Sequence, residues 1–156
     1  MSYFRTPEYL TQSLQDAASH QYALGIKLVR GAYHEQEAKP DSPSLSLTTN
    51  ASWPPVFTNK ADTDRCYDTA AAELVRVVAN VDGRGPTVGV LFGSHNSESC
   101  AKVIDAFVDM GCAFRGKDGT VHLDDLIAER VSLAQLYGLS AFLMILWVGN
   151  ADMVCG

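Results

Sequence analysis

The stretch LGIKLVRGAYHEQE, Leu24 to Glu37, decides the fold class, because an apolar strand runs straight into a polar, glycine-containing turn. Its first half reads as a buried strand, yet Lys27 and Arg30 lie within or at the end of the apolar run. Two buried cations are costly unless an anionic group meets them. Gly31 and Ala32 then clear side-chain bulk just before Tyr33 and His34. A strand end of this kind reads as one wall of a site.

Working outward, Thr6-Pro7 predicts a helix start, with a hydroxyl cap, proline in the first turn and Glu8 close behind. Leu10, Leu14, Ala17 and Ala18 keep helical spacing up to Gly25, after which the strand Ile26 to Val29 begins. Pro40 to Pro55 is a Ser/Thr/Asn/Pro-rich loop without periodicity. A second helix is expected from about Asp62-Thr63-Asp64, where Tyr67, Ala70, Ala71, Leu74, Val75 and Val78 form one apolar stripe.

After a turn over Val81 to Pro86, TVGVLFGSHN predicts a buried strand, Val88 to Phe92, with a polar tip. Ser97 is expected to cap a third helix, with Cys100, Val103, Ile104, Phe107 and Val108 inside and Gly111 as its stop. Asp124 to Glu129 reads as a short helical turn, and Val131 to Leu136 as another strand. Helices alternating with apolar strands imply an α/β fold with a parallel sheet, doubly wound or closed as a barrel. Both architectures place chemistry at the carboxyl ends of the strands. Arg30 to His34 and Gly93 to Asn96 occupy two such ends.

The bulk composition bounds the function. The chain has 156 residues, enough for one domain with a real core, and 47% of them are hydrophobic. A net charge of −6 argues against a broad nucleic-acid-binding face. The basic pair at Lys27 and Arg30 is therefore better read as a site than as part of a basic surface. Cys66, Cys100, Cys112 and Cys155 show no C-x-x-C spacing, and Cys66 and Cys100 fall on apolar helical faces, where buried thiols are expected.

No targeting peptide is visible at the amino terminus. Val131 to Ala151 carries no charged residue over about a membrane-spanning length, but Gln135, Tyr137, Gly138, Ser140 and Asn150 interrupt it. Two buried elements joined by Gly138 are the preferred reading.

Several motifs fail on their mechanics. GCAFRGKD, Gly111 to Asp118, matches G-x-x-x-x-G-K, but a helix precedes it and Asp118 stands where a hydroxyl should hold magnesium, so an ordinary turn is expected. No G-x-G-x-x-G, H-E-x-x-H or G-x-S-x-G is present, and no metal site is expected. His20 and His122 read as surface or loop residues. His95, in a strand-to-helix turn between Ser94 and Asn96, reads either as a capping residue or as part of a site for an electron-rich ring or a phosphate.

GIKLVRGAYHEQE, PPVFTNKADTDRCYD, VLFGSHNSES and QLYGL, in this order and spacing, resemble the proline dehydrogenase family over Tyr3 to Leu139. The Pro/Ser-rich insertion resembles fungal members. The resemblance implies a partial (β/α)8 TIM-like barrel, roughly its fourth helix to seventh strand, over residues 1–139. An off-pattern apolar tail, 140–156, follows. It also implies an FAD enzyme that oxidises L-proline to 1-pyrroline-5-carboxylate by hydride transfer to flavin N5. Such enzymes pass electrons to a quinone at the mitochondrial inner membrane.

Carried over by position, Lys27 stands where the family places a cation beside flavin N5, and is the catalytic candidate. Arg30, Gly31, Ala32, Tyr33 and His34 match residues lining the flavin. Thr58, Lys60 and Thr63 match contacts on the pyrophosphate and adenosine side. Ser94, His95 and Asn96 match a flavin-contacting turn, while Gln135 and Leu136 fall where the family meets flavin and proline. Cations near N1 and N5 stabilise the anionic reduced flavin.

The family's paired arginines for the proline carboxylate have no counterpart after Leu139, nor do the catalytic Lys and Asp of earlier strands. The expectation is a fragment, inactive alone, whose open sheet edges favour self-association. The alternatives are a catalytically silent remnant that binds flavin or protein, and a small α/β protein with a membrane-associated tail.

Overall fold

The strand that contains Lys27 is only half-buried. β1 (Leu24–Val29) alternates, with Leu24, Ile26 and Leu28 turned inward and Gly25 and Lys27 exposed. A computed structural model of the protein describes residues 4–31, 56–80 and 87–135, together with the backbone of 147–148 and 152–153. Around β1 lie α1 (Thr6–His20), α2 (Lys60–Ala79), β2 (Val88–Gly93), α3 (Ser97–Asp109), β3 (Ala113–Arg115), β4 (Val121–Leu123), α4 (Asp125–Ala128) and β5 (Val131–Ala134). Two short strands, β6 (Trp147–Val148) and β7 (Asp152–Met153), follow.

β1, β2 and β5 form a parallel sheet in that order, as the alternation of helices and strands predicts. Leu24 pairs with Val88, Ile26 with Val90 and Leu28 with Phe92; Val131 and Leu133 pair with Val90 and Phe92 from the other side. Paired residues share a face, and side chains alternate along each strand. One face therefore carries Leu24, Ile26, Leu28, Val88, Val90, Phe92, Val131 and Leu133. The other carries Gly25, Lys27 and Val29, then Gly89, Leu91 and Gly93, then Ser132 and Ala134. The first face holds the core; on the second, Lys27 and Gly25 are exposed and Leu91, Ser132 and Ala134 half-buried.

α2 packs on β1 and β2 and lies against α3. The expected stripe of Tyr67, Ala70, Ala71, Leu74, Val75 and Val78 is buried without exception. Cys100, Val103, Ile104 and Phe107 do the same for α3, where the Phe107 ring meets Phe92 of β2 edge-on with centroids 6.5 Å apart. Cys66 and Cys100 are buried thiols, as their spacing predicts, and burial pushes the Cys66 thiol up from its ordinary pKa.

The helix ends differ from the sequence expectation in instructive ways. α1 has Arg5 in the cap position and no side-chain cap; Thr6 is the first helical residue, and its buried hydroxyl lies toward the Cys66 thiol rather than capping the helix. α2 begins two residues before Asp62, because the Asn59 side chain accepts the Asp62 amide at 2.8 Å. Asn96, not Ser97, caps α3 by accepting the Glu98 amide at 3.1 Å. In both helices an asparagine won over the nearby hydroxyl or carboxylate, since its oxygen closes the turn onto the second or third helical amide.

Gly111 does end α3. Its φ of 72°, with Gly111 N donating to Val108 O and Cys112 N to Phe107 O, makes a doubly hydrogen-bonded left-handed stop.

Gly111 to Asp118 is not merely a turn: β3 and β4 form an antiparallel hairpin around Gly116 to Gly119. Thr120 donates its amide and hydroxyl to Asp118 Oδ1 and closes that turn. The backbone of β7 pairs with β4, and β6 with β7, so these residues of the apolar tail extend the hairpin rather than the parallel sheet. No described helix is long and apolar enough to cross a membrane. The loop Pro40 to Pro55, the turn Val81 to Pro86 and the junction at Gly138 lie outside the described residues.

Candidate functional site

Because the three strands are parallel, their carboxyl ends meet on one edge. The ladder continues one residue past the strands: Arg30 N donates to Gly93 O at 2.8 Å, and Ser94 N to Ala134 O at 3.2 Å. Arg30, Gly31, Ser94, His95, Asn96 and Gln135 are thereby brought to a single rim. The first turn of α2 reaches the same rim, since its Asp64 touches Arg30. Of the predicted residues, Lys27, Arg30, Gly31, Thr58, Lys60, Thr63, Ser94, His95, Asn96 and Gln135 are described; Ala32, Tyr33, His34 and Leu136 lie outside the described residues.

The two cations of the opening stretch part company here. Arg30 meets Asp64: its Nε donates to Oδ1 at 2.5 Å, and its Nη2 approaches the same oxygen. Lys60 donates to Asp64 Oδ2 at 2.5 Å. The Arg30 and Asp64 side chains are 18% and 19% exposed, so the pair is largely sheltered, whereas Lys60 is 71% exposed. Burial alone would push the Asp64 carboxyl up; hydrogen bonds and charge from Lys60 and Arg30 outweigh it and hold the group below the usual carboxylate range. Lys27 makes no ion pair among the described residues and stands on the open face of the sheet. Its charge remains in water and needs no partner to offset burial.

Sequence reading missed Asp64. The available signal was its place four residues after Lys60 in a helical first turn, a spacing at which opposite charges meet. The contact to Arg30 crosses 34 residues and could not be seen without the fold.

Gly31 has a φ of +68°, a conformation that side-chain-bearing residues rarely adopt, and a Cβ there would meet nothing within 4 Å. Backbone geometry, rather than lack of room, accounts for glycine at this position. Thr63 is buried and donates its hydroxyl to Asn59 O at 3.0 Å, which ties down the start of α2. Thr58 is exposed. Ser94 is buried, and its hydroxyl accepts the Asn96 amide at 3.0 Å, shaping the turn that leaves His95 exposed.

Gln135 is the unsatisfied member: its Nε2 is buried and has no hydrogen-bond partner among the described residues. A buried donor without an acceptor is costly and calls for an explanation.

This donor set suits a flat, acceptor-rich ring that gains negative charge. Gln135 offers a buried N–H₂ at the rim, and Asp64 is already shared by two cations, which mutes its repulsion, while Lys27 adds a cation on the open face three residues before Arg30. Donors of this kind are compatible with the chemistry of FAD. No group of three or more His, Cys, Asp or Glu side chains among the described residues is placed to hold a metal ion.

A parallel α/β sheet with polar and cationic residues gathered at its strand ends defines the general class, the α/β proteins, which place ligand sites at that edge. Within that class the family is specific. The family model described as proline dehydrogenase matches residues 3–145, and the chain belongs to the proline dehydrogenase family. It is 30% identical, over 133 residues and 85% of its length, to "Proline dehydrogenase 1, mitochondrial" of Arabidopsis thaliana. It is 25% identical over 147 residues, 94% of its length, to "Carbapenem antibiotics biosynthesis protein CarD" of Pectobacterium carotovorum subsp. carotovorum. The chain spans 22% and 30% of the lengths of these two relatives.

Proposed function

We propose that this chain supplies one wall of the flavin site of a proline-oxidising enzyme. The single observation that carries the reading is the buried Gln135 Nε2, without a partner among the described residues, on the rim that also carries Arg30, Ser94 and His95. The overall reaction is oxidation of L-proline to 1-pyrroline-5-carboxylate, with electrons leaving to a quinone. FAD, when bound, is the hydride acceptor. Lys27 places a positive charge on the open face, Gln135 donates to a ring acceptor, and Arg30 lines the flavin beside Gly31. The Ser94–His95–Asn96 turn is the second wall contact; Ala32, Tyr33 and His34 extend the first, with Leu136 beside the substrate. Thr58, Lys60 and Thr63 belong to the pyrophosphate and adenosine side.

The sheet order supports a partial (β/α)8 barrel. β1, β2 and β5 add in one direction without reversal, and α2 packs beside α3. One half of a doubly wound sheet adds strands in the same way, so the choice of a barrel rests on the family reading. In a barrel the open face that carries Lys27 would look inward. A mitochondrial location follows from the same family reading.

Addition of FAD to the purified chain tests the site. Binding should quench flavin fluorescence and resolve the visible band, and Gln135→Leu should weaken both. A spectrum identical to that of flavin in buffer, at every protein concentration, overturns the reading.

A second reading is favoured by the exposed Lys27 face and by outer strands β1 and β5 that each pair with only one neighbour in the three-stranded sheet. In this reading the segment binds protein through its sheet and does not turn over proline. Sedimentation showing concentration-dependent self-association without flavin binding would support it.

A further inference from the structure

We propose that Asp64 is a positioning residue, which fixes the Arg30 guanidinium on the strand-end rim so that it meets the flavin in one orientation. Three observations carry this. Arg30 is the first residue beyond β1, and its backbone is held by Gly93 O at 2.8 Å. Its side chain is held by Asp64 through both Nε and Nη2. Asp64 itself is anchored, because it sits in the first turn of α2, whose start is tied down by the Asn59 cap and the Thr63 hydroxyl.

An arginine side chain loses about 2 kcal/mol of rotamer entropy when it is immobilised. Here that ordering is done by a carboxylate within the protein, before any ligand arrives, and pre-ordering of this kind raises affinity. Lys60 joins the same carboxylate from solvent, so one group meets a strand cation and a helix cation.

The inference rests on the flavin reading given above, but it makes a prediction of the opposite sign from a purely electrostatic role. FAD carries a negatively charged pyrophosphate. If Asp64 were only a negative charge near the rim, Asp64→Asn would make the rim more positive and tighten FAD binding. If Asp64 positions Arg30, the same substitution weakens FAD binding, by about tenfold for one sheltered charge-assisted contact.

The experiment has two arms on the whole chain, wild type and Asp64→Asn. In the ligand-free protein, the Arg30 Nε–H should exchange slowly with water in the wild type and fast in the variant, with the far-UV spectrum and melting cooperativity retained. In the FAD titration, the variant should bind about tenfold more weakly. Equal Nε–H exchange in the two proteins, or tighter FAD binding by the variant, overturns the proposal. Wild-type protein that leaves the flavin spectrum unchanged defeats the flavin reading instead, and the exchange arm then decides alone whether Asp64 holds Arg30.

Discussion

Replacing each cation of the opening stretch by methionine separates a paired charge from a solvated one. Arg30→Met removes both contacts to Asp64 and leaves a carboxylate that is 19% exposed with only Lys60 as partner. A hydrogen bond to a charged group is worth about 1.5–3 kcal/mol when sheltered, and an exposed pair about 0.2–1 kcal/mol. The partial exposure and the remaining Lys60 place the expected cost at roughly 1–2 kcal/mol. Lys27→Met, on the exposed face without an ion pair among the described residues, should change stability by less than about 0.5 kcal/mol.

Urea unfolding of the two variants measures the contrast as a shift in midpoint at unchanged slope. The Arg30→Met penalty should also depend on pH. Asp64 has a folded-state pKa below its unfolded value, so its contribution is present above the unfolded pKa and is lost as pH falls through the folded one. The penalty should therefore be full at pH 7 and shrink once the solution is more acidic than about pH 4. The reasoning fails if Lys27→Met costs as much as Arg30→Met. It fails equally if an Arg30→Met/Asp64→Asn double-mutant cycle shows coupling below about 0.5 kcal/mol.

Three further outcomes are expected. Phe107→Ala, at a side chain 1% exposed and edge-on to Phe92, should destabilise by about 3–5 kcal/mol in the same urea assay. Asn96→Ala removes the cap of α3 and should cost about 1 kcal/mol, whereas Ser97→Ala, next to the cap, should cost little. Gln135→Leu should leave ligand-free stability unchanged or slightly higher, because the buried Nε2 makes no hydrogen bond among the described residues, while flavin binding weakens. A clear loss of ligand-free stability would show that Gln135 is structurally engaged.

What the sequence alone carried was periodicity. The stripes of α2 and α3, the parallel strands, the left-handed stop at Gly111 and the gathering of polar residues after Val29 and Phe92 were all legible. Each follows from local spacing and backbone stereochemistry. The helix caps were less legible: Asn59 and Asn96 compete with neighbouring Ser, Thr and Asp residues of similar propensity, and only the closed turn shows which oxygen reaches the amide. The β3–β4 hairpin escaped notice because each strand is three residues long, too short for alternation to register.

The pairing of the two cations belonged to the tertiary structure. Alternation along an outer strand turned Lys27 to the open face, and a helix beginning 30 residues after Arg30 delivered Asp64 to it. Charge pairing is decided by proximity in space, and nothing in the order of residues around LGIKLVRGAYHEQE reveals that Asp64 waits for the arginine.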